Sequence, residues 1–218
     1  GVDRAWAEYR HVTPALVHAI DAGELDLDRP GIEFLIGGFW GEAAIGRLEY
    51  SRGRVILAVG YRPDGIGHSG NAKGACVTPN GFVLANDDGT LQEWRRDDAG
   101  VWSQYHSVDL GPTLARIAPM PDDGVLVCDN DGVLQIVRVD PARSWTGRTV
   151  VARAPNRLRG AIVADLDPAS EGLEAATAGY DGGILIVRNL PRVGDDGSRP
   201  GVERAVLARD TAKIHHLT

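Results

Sequence analysis

Cysteine is scarce in this chain, with two among 218 residues. A pair of cysteines provides no disulfide framework of the kind that stabilises small secreted domains. Cys76 and Cys128 each lie within an apolar segment, so we expect both to be buried free thiols. The lack of a disulfide framework mildly favours a reducing compartment, and we expect a cytoplasmic location.

Long apolar runs and an excess of basic residues are also absent. No segment approaches the roughly 20 apolar residues that span a membrane, and the first residues do not form a secretion signal. The formal net charge is −7, and no basic stripe with interleaved aromatic residues occurs. We therefore expect neither a membrane nor a nucleic acid as a partner.

The familiar catalytic and cofactor motifs are missing as well. The sequence has no Gly-x-Ser-x-Gly nucleophile turn, no P-loop and no Cys-x-x-Cys metal pair. The glycine-rich segment 65–74 is not followed by a helical pattern, so it lacks the context of a phosphate-binding loop. We expect no nucleotide cofactor.

The chain does contain a repeat. Lys73, Arg116 and Arg159 stand 43 residues apart (73 to 116 and 116 to 159), each at the start of the same pattern of apolar and turn residues. A fixed period of this size indicates a repeat architecture. Each unit reads as four short strands, and the Asp-Gly pairs within the units predict two-residue hairpin turns, because Gly supplies positive φ.

Four-stranded units of about 40–45 residues are typical of β-propeller blades. We predict an all-β fold, a single five-bladed propeller domain over residues 1–218. Four blades are expected at about 13–62, 72–108, 115–151 and 158–209. The fifth takes its outer strand from residues 5–12 and its inner strand from residues 213–218, which ties the chain ends together. Its two middle strands have no counterpart in the sequence, so we expect it to be incomplete.

A basic residue recurs at the same position of every unit. The five are His18, Lys73, Arg116, Arg159 and His215. In a closed ring these positions converge on the central channel, so they predict a cationic collar at its mouth. Neighbouring cations raise one another's cost of protonation unless anionic groups lie nearby. The collar is therefore either a set of structural caps on strand ends or a binding site for an anionic small-molecule ligand.

Histidines are concentrated on the same face of the predicted ring. His11 precedes the first blade, and His68 lies in the loop that enters the second. Grouped imidazoles suit a divalent transition metal or general acid–base chemistry near neutral pH, although loop histidines are often only solvated. We predict these catalytic residues or metal ligands: His18, His68 and His215. We predict these substrate-binding residues: Lys73, Arg116, Arg159, His11 and Trp40.

Acidic turns form a second candidate site. Glu24, Asp26 and Asp28, followed by Glu33, place carboxylates at alternate positions, as an oxygen-ligand calcium loop does. The segments ELDLDRPGIEFLIGG and DLDPASEGLEAATAG resemble the FG-GAP or VCBS-type propeller repeat, whose inter-strand loop reads D-x-D-x-D-G and binds calcium. Arg29 stands where that family has glycine. We therefore expect turns descended from calcium loops, with bound calcium in the first blade as the lesser alternative.

The same resemblance implies a chemistry. Lyases and isomerases of the aldos-2-ulose dehydratase type look similar, with propeller repeats and histidines around a metal. The resemblance implies a metal that polarises a carbonyl, a histidine that removes the α-proton, and arginine or lysine that stabilises the enolate. We predict a lyase or isomerase acting on a polar anionic or carbonyl-bearing small molecule. The alternative is a non-catalytic binding module for a sugar or a protein, in which Trp40 provides a stacking surface.

Overall fold

The computed structural model describes residues 17–25, 31–38, 43–51, 54–61, 71–121, 124–140, 144–169, 172–191 and 201–205. Every regular element in these ranges is a β-strand, and the strands form four antiparallel sheets of four. The predicted all-β class is thereby confirmed. Within these ranges no helix has the length and apolar character that crossing a membrane requires.

Each sheet is made from one stretch of the chain. The first contains β1 (Val17–Gly23), β2 (Glu33–Gly38), β3 (Ala43–Ser51) and β4 (Arg54–Tyr61). The second contains β5 (Ala72–Thr78), β6 (Gly81–Asn86), β7 (Thr90–Arg96) and β8 (Trp102–Asp109). The third contains β9 (Leu114–Pro119), β10 (Gly124–Asp129), β11 (Val133–Asp140) and β12 (Ser144–Arg153). The fourth contains β13 (Leu158–Ala164), β14 (Glu174–Gly179), β15 (Ile184–Arg188) and β16 (Gly201–Ala205).

Strands within each sheet neighbour one another in chain order, so every sheet is a meander of hairpins. The second strand of a sheet is its most buried one: all residues of β6, β10 and β14 are buried. Burial on both faces explains why the segments GFVLAN, GVLVCD and EAATAG lack the apolar–polar alternation of a half-exposed strand.

Consecutive residues of a strand place their apolar side chains in two different hydrophobic cores, one on each face of the sheet. In β6, Phe82 and Leu84 pack toward the first sheet, whereas Val83 and Ala85 pack toward the third. In β10, Leu126 and Cys128 pack toward the fourth sheet. Successive sheets therefore stack face to face in chain order, because neighbouring side chains of a strand point to opposite faces.

The first strands of successive sheets are also neighbours, in the order β1, β5, β9, β13. His18 contacts Lys73 near the starts of β1 and β5, and the Val77 N–H donates to Asp21 Oδ2 at 2.7 Å nearer their ends. These two strands therefore run in the same direction. Residues predicted for a fifth blade, 5–12 and 213–218, lie outside the described part of the chain.

The Asp-Gly turns differ from the sequence-based expectation. Three residues, not two, separate β6 from β7 and β10 from β11. Gly89 and Gly132 have φ values of 91° and 78°, and the Gly89 N–H donates to the Asn86 carbonyl at 3.2 Å. This is the geometry of a turn closed by a residue in the left-handed region, in which only the glycine needs positive φ. The dipeptide alone did not distinguish the two loop lengths.

Candidate functional site

A cavity of about 510 Å³ lies between the first strands of the four sheets. Residues of β1, β5, β9 and β13 all line it. Its volume falls within the roughly 300–1,000 Å³ of small-molecule sites. Because four sheets contribute to the cavity, side chains far apart in the sequence meet there.

The basic residues of the repeat meet at this cavity. His18, Arg116 and Arg159 line it, and Lys73 Nζ lies 3.1 Å from Nδ1 of His18. Each stands near the beginning of a first strand, which brings them to one end of the cavity. Four of the five residues predicted for the collar are therefore described, and they lie together. The fifth, His215, lies outside the described residues.

Two of these cations also connect the sheets. Arg116 donates through one guanidinium nitrogen to the backbone carbonyls of Lys73 in the neighbouring sheet and of Ala115, the latter at 2.7 Å. Arg159 lies over the Tyr180 ring, with its guanidinium carbon 5.0 Å from the ring centroid. Capping of strand-end carbonyls, the structural alternative of the sequence analysis, thus describes part of what Arg116 does.

Burial, and after it the neighbouring positive charges, lowers the pKa of both His18 and Lys73. Burial lowers the pKa of His18 first, and the charges of Lys73 and Arg116 lower it further, with Asp87 opposing. Burial also lowers the pKa of Lys73. The charge of Asp87 opposes this shift, and the charges of Arg159 and Arg116 add to it. His18 is therefore neutral at neutral pH, since its ordinary pKa is about 6.5. A neutral imidazole that accepts from Lys73 at Nδ1 carries its proton on Nε2.

Negative charge is sparse around these cations. Asp87 accepts hydrogen bonds from the backbone and the side-chain amide of Asn71, the former at 2.8 Å. Within the described ranges, no carboxylate forms an ion pair with Arg116 or Arg159. Arg159 Nε is buried and has no hydrogen-bond partner among the described residues. A cavity lined by cations that form no ion pair with a described carboxylate is suited to binding an anion.

Asp87 and Tyr180 were not identified by the sequence analysis. They occupy one position of the repeat, the residue after the second strand, and Asn130 holds it in the third sheet. The N–H groups of Asp87 and Tyr180 bond the Asn71 and Arg157 carbonyls, each at 3.0 Å. Aligning this position across the units would have drawn attention to it.

The predicted metal set is largely outside the described residues. Of the predicted ligands, His68 and His215 lie there, which leaves His18 as the described member. The predicted substrate-binding residues His11 and Trp40 also lie outside the described residues. No group of three His, Cys, Asp or Glu side chains suited to a metal ion occurs among the residues that the structure describes. At His18 itself, Lys73 engages Nδ1 and adds a positive charge. The described residues therefore do not fit a transition metal at that nitrogen.

The predicted calcium loop is only partly described. Asp26 and Asp28 lie outside the described ranges, and Glu24 is exposed. Glu33 is buried; it accepts the Leu25 N–H at 2.8 Å and the Arg47 Nε–H at 2.9 Å. Its carboxylate thus holds the loop against the sheet.

The fourth sheet contains a hydrogen bond equivalent to the one between the Leu25 N–H and Glu33. The Leu166 N–H donates to buried Glu174 at 2.9 Å, at positions equivalent to Leu25 and Glu33. Arg188, opposite Glu174 in the sheet, pairs with Asp167 at 2.8 Å. A guanidinium next to an acidic loop neutralises the carboxylate that calcium would need.

No protein-family model matches this chain, and no curated protein matches it significantly. The resemblance to the FG-GAP or VCBS-type repeat therefore stays a prediction. The function has to be inferred from the geometry of the cavity and from the charges around it.

Proposed function

We propose that this protein is a lyase- or isomerase-type enzyme, built on a five-bladed β-propeller of FG-GAP or VCBS type, that acts on a small anionic or carbonyl-bearing molecule in its central cavity. Three features support the propeller: four sheets of the same strand order, first strands that neighbour one another in chain order, and cores between successive sheets. Equivalent Leu–Glu bonds in the first and fourth sheets support a common repeat.

The contact between Lys73 and His18 carries the enzymatic proposal. A general base at neutral pH needs a pKa near neutrality. Burial and neighbouring cations lower the pKa of Lys73 and keep His18 neutral. In the proposed reaction Lys73 acts as a neutral amine, which still donates an N–H to His18 Nδ1 at 3.1 Å and offers its lone pair to the substrate proton. The pair thus supplies a base next to a cavity that attracts anions.

The reaction best matched to this pair is proton removal next to a carbonyl group. The substrate carbon loses its proton to the Lys73–His18 pair, and the electrons of the broken C–H bond move onto the carbonyl oxygen. Arg116 and Arg159 stabilise the resulting enolate, because positive charges fixed near a developing negative charge lower the barrier. Returning the proton to another carbon gives an isomerase, and loss of a β-leaving group gives a lyase. The divalent metal predicted from the histidines is not part of this proposal.

Exchange of substrate protons in heavy water tests the proposal without knowing the product. A panel of small 2-oxo and 2-hydroxy acids is incubated with the protein, and loss of the C–H signal is followed by NMR. We expect exchange with at least one acid, and its loss in Lys73→Met and His18→Gln. Arg153→Gln removes an exposed positive charge outside the cavity and serves as the control.

The outcomes separate enzyme from binding module. Exchange that disappears in both cavity variants and persists in the control supports the enzyme. Binding of the acids without exchange overturns the enzyme and leaves the non-catalytic alternative, which the same cations support. Absence of both binding and exchange across the panel overturns the enzyme and the anion site, and leaves a module for a sugar or a protein as the alternative.

A further inference from the structure

We infer that the cavity binds a carboxylate with an apolar body, whose carboxylate is held by Arg159 and whose body lies against the first strands. This inference rests on the anion site proposed above and goes further, because it names the class of ligand. Two independent features carry it: the state of the Arg159 guanidinium and the chemistry of the remaining cavity wall.

Arg159 is the cation best prepared for a carboxylate. Its guanidinium lies over the Tyr180 ring, which restricts the orientation of its plane. It lines the cavity, and because its Nε is buried, the terminal guanidinium nitrogens are the donors that a ligand meets. A planar guanidinium presents parallel N–H groups at the spacing of carboxylate oxygens. Arg116, in contrast, already donates to two backbone carbonyls.

The wall beyond the cations is apolar. Ile117, Pro119, Ile162 and Val163 line the cavity on β9 and β13. Ile20 lines it on β1 and is 61% exposed. A sugar would find few hydrogen-bonding side chains there, whereas an alkyl or aryl group would cover exposed apolar surface.

Asp21 is the one carboxylate that lines the described part of the cavity. Its Oδ2 accepts the Val77 N–H at 2.7 Å, so it links β1 to β5. This hydrogen bond holds the Asp21 carboxylate at the contact between the first and second sheets. The polarity of the cavity is therefore set by cations at one end and apolar side chains along the rest.

A homologous series of fatty acids tests the inference directly. Binding of butanoate, hexanoate and octanoate is measured by calorimetry, with malonate and phosphate as head-group probes and octan-1-ol as a tail probe. We expect affinity to rise about fourfold per added methylene, because each buried CH₂ contributes a fixed increment. Octan-1-ol should bind more weakly than octanoate, since it lacks the charge that pairs with Arg159.

Variants of the cavity residues test which of them contacts the carboxylate of the ligand and which contacts its apolar body. Arg159→Gln should weaken octanoate binding about tenfold to a hundredfold, and Arg159→Lys should recover only part of it, because lysine keeps the charge but not the fork. Ile20→Ser should reduce the gain per methylene while leaving malonate binding unchanged. Arg153→Gln, outside the cavity, should change neither. Circular dichroism checks that each variant is folded.

Failure of this inference can be distinguished from failure of the proposed function. If malonate or phosphate binds through Arg159 and affinity does not grow with chain length, the apolar-body inference is overturned and the anion site stands. If octanoate binds equally well to Arg159→Gln and wild type, the anchor is wrong. If none of the anions binds, the inference and the proposed anion site both fall.

Discussion

Lys73 Nζ lies 3.1 Å from His18 Nδ1, although the two residues are 55 positions apart and belong to different sheets. Two basic groups at this distance share a proton rather than each holding one. The contact requires that His18 be neutral, and both burial and the flanking arginine favour this. The relationship defines the electrostatic character of the cavity and leads to two predictions.

Replacing Lys73 should raise the pKa of His18. The ammonium of Lys73 is the largest charge that lowers this pKa after burial, so Lys73→Met removes it. Titration of the imidazole by ¹H–¹⁵N NMR measures the change. Arg153→Gln removes an equal charge at an exposed site outside the cavity and should leave the titration in place. An unchanged pKa in Lys73→Met would mean that the contact does not persist in solution.

The stability of the protein should fall as the pH drops below about 6.5, partly because of His18. The folded-state pKa of His18 is lowered, so the unfolded state binds a proton at higher pH than the folded state. Unfolding is therefore favoured increasingly from about pH 6.5 down to the folded-state pKa. Urea unfolding at a series of pH values should show that the free energy of unfolding of His18→Gln falls less steeply with decreasing pH than that of the wild type. Parallel declines in the two proteins would contradict the prediction.

Both cysteines should be unreactive in the folded protein. Burial raises the pKa of Cys76 well above its ordinary value and that of Cys128 to about 12. Thiolate, the reactive form, is then negligible at mildly alkaline pH. A colorimetric thiol reagent should label both residues only as fast as the protein unfolds, and at once in concentrated guanidinium. Rapid labelling of either residue without denaturant would show that its strand opens locally.

Alanine substitutions at Gly89 and Gly111 distinguish the cost of backbone strain from the cost of a steric contact. Their φ values are 91° and 93°, so alanine suffers similar strain at both, about 1–2 kcal/mol. A Cβ on Gly89 would lie 2.8 Å from the Gly111 carbonyl oxygen, whereas one on Gly111 would meet nothing within 4 Å. Gly89→Ala should therefore lower the free energy of unfolding by about 1–3 kcal/mol more than Gly111→Ala. Chemical denaturation of both variants measures the difference, and equal losses would refute the turn geometry.

Glu33 and Glu174 occupy equivalent positions but should respond differently to amidation. Glu33→Gln places an amide donor against the Arg47 guanidinium and should destabilise by about 1–3 kcal/mol. In Glu174, one oxygen accepts the Leu166 N–H and the other is buried with no partner among the described residues. Glu174→Gln keeps the first bond and removes a buried charge, so stability should be unchanged or increased. A larger loss in Glu174→Gln than in Glu33→Gln would overturn this assignment.

Some features of the fold follow from local sequence. The period of 43 residues and the absence of helical patterning predicted strands, and strands are what the described residues form. Buried second strands such as Gly124–Asp129 were readable as short apolar runs. The length of the Asp-Gly turns could not be read from the sequence, because Asp88-Gly89 suits two loop lengths. The choice between them depends on how β6 and β7 pair.

The candidate site was predictable only in part. Its cations were found because Lys73, Arg116 and Arg159 recur at one position of the repeat. Their partners were missed, because Asp87 and Tyr180 come next to these cations only through pairing between the first and second strands. The predicted histidine group, apart from His18, and Trp40 lie outside the described residues, so those assignments stay predictions.

The sequence by itself determined the all-β class, the burial of the two thiols and the recurrence of one basic residue per unit, since each depends on side-chain type and spacing along the chain. The tertiary structure decided which of these residues share a cavity and in what protonation state. A pKa depends on burial and on charges a few ångströms away, and for His18 those charges come from Lys73 and Arg116 in two other sheets. Spacing along the chain does not contain that information.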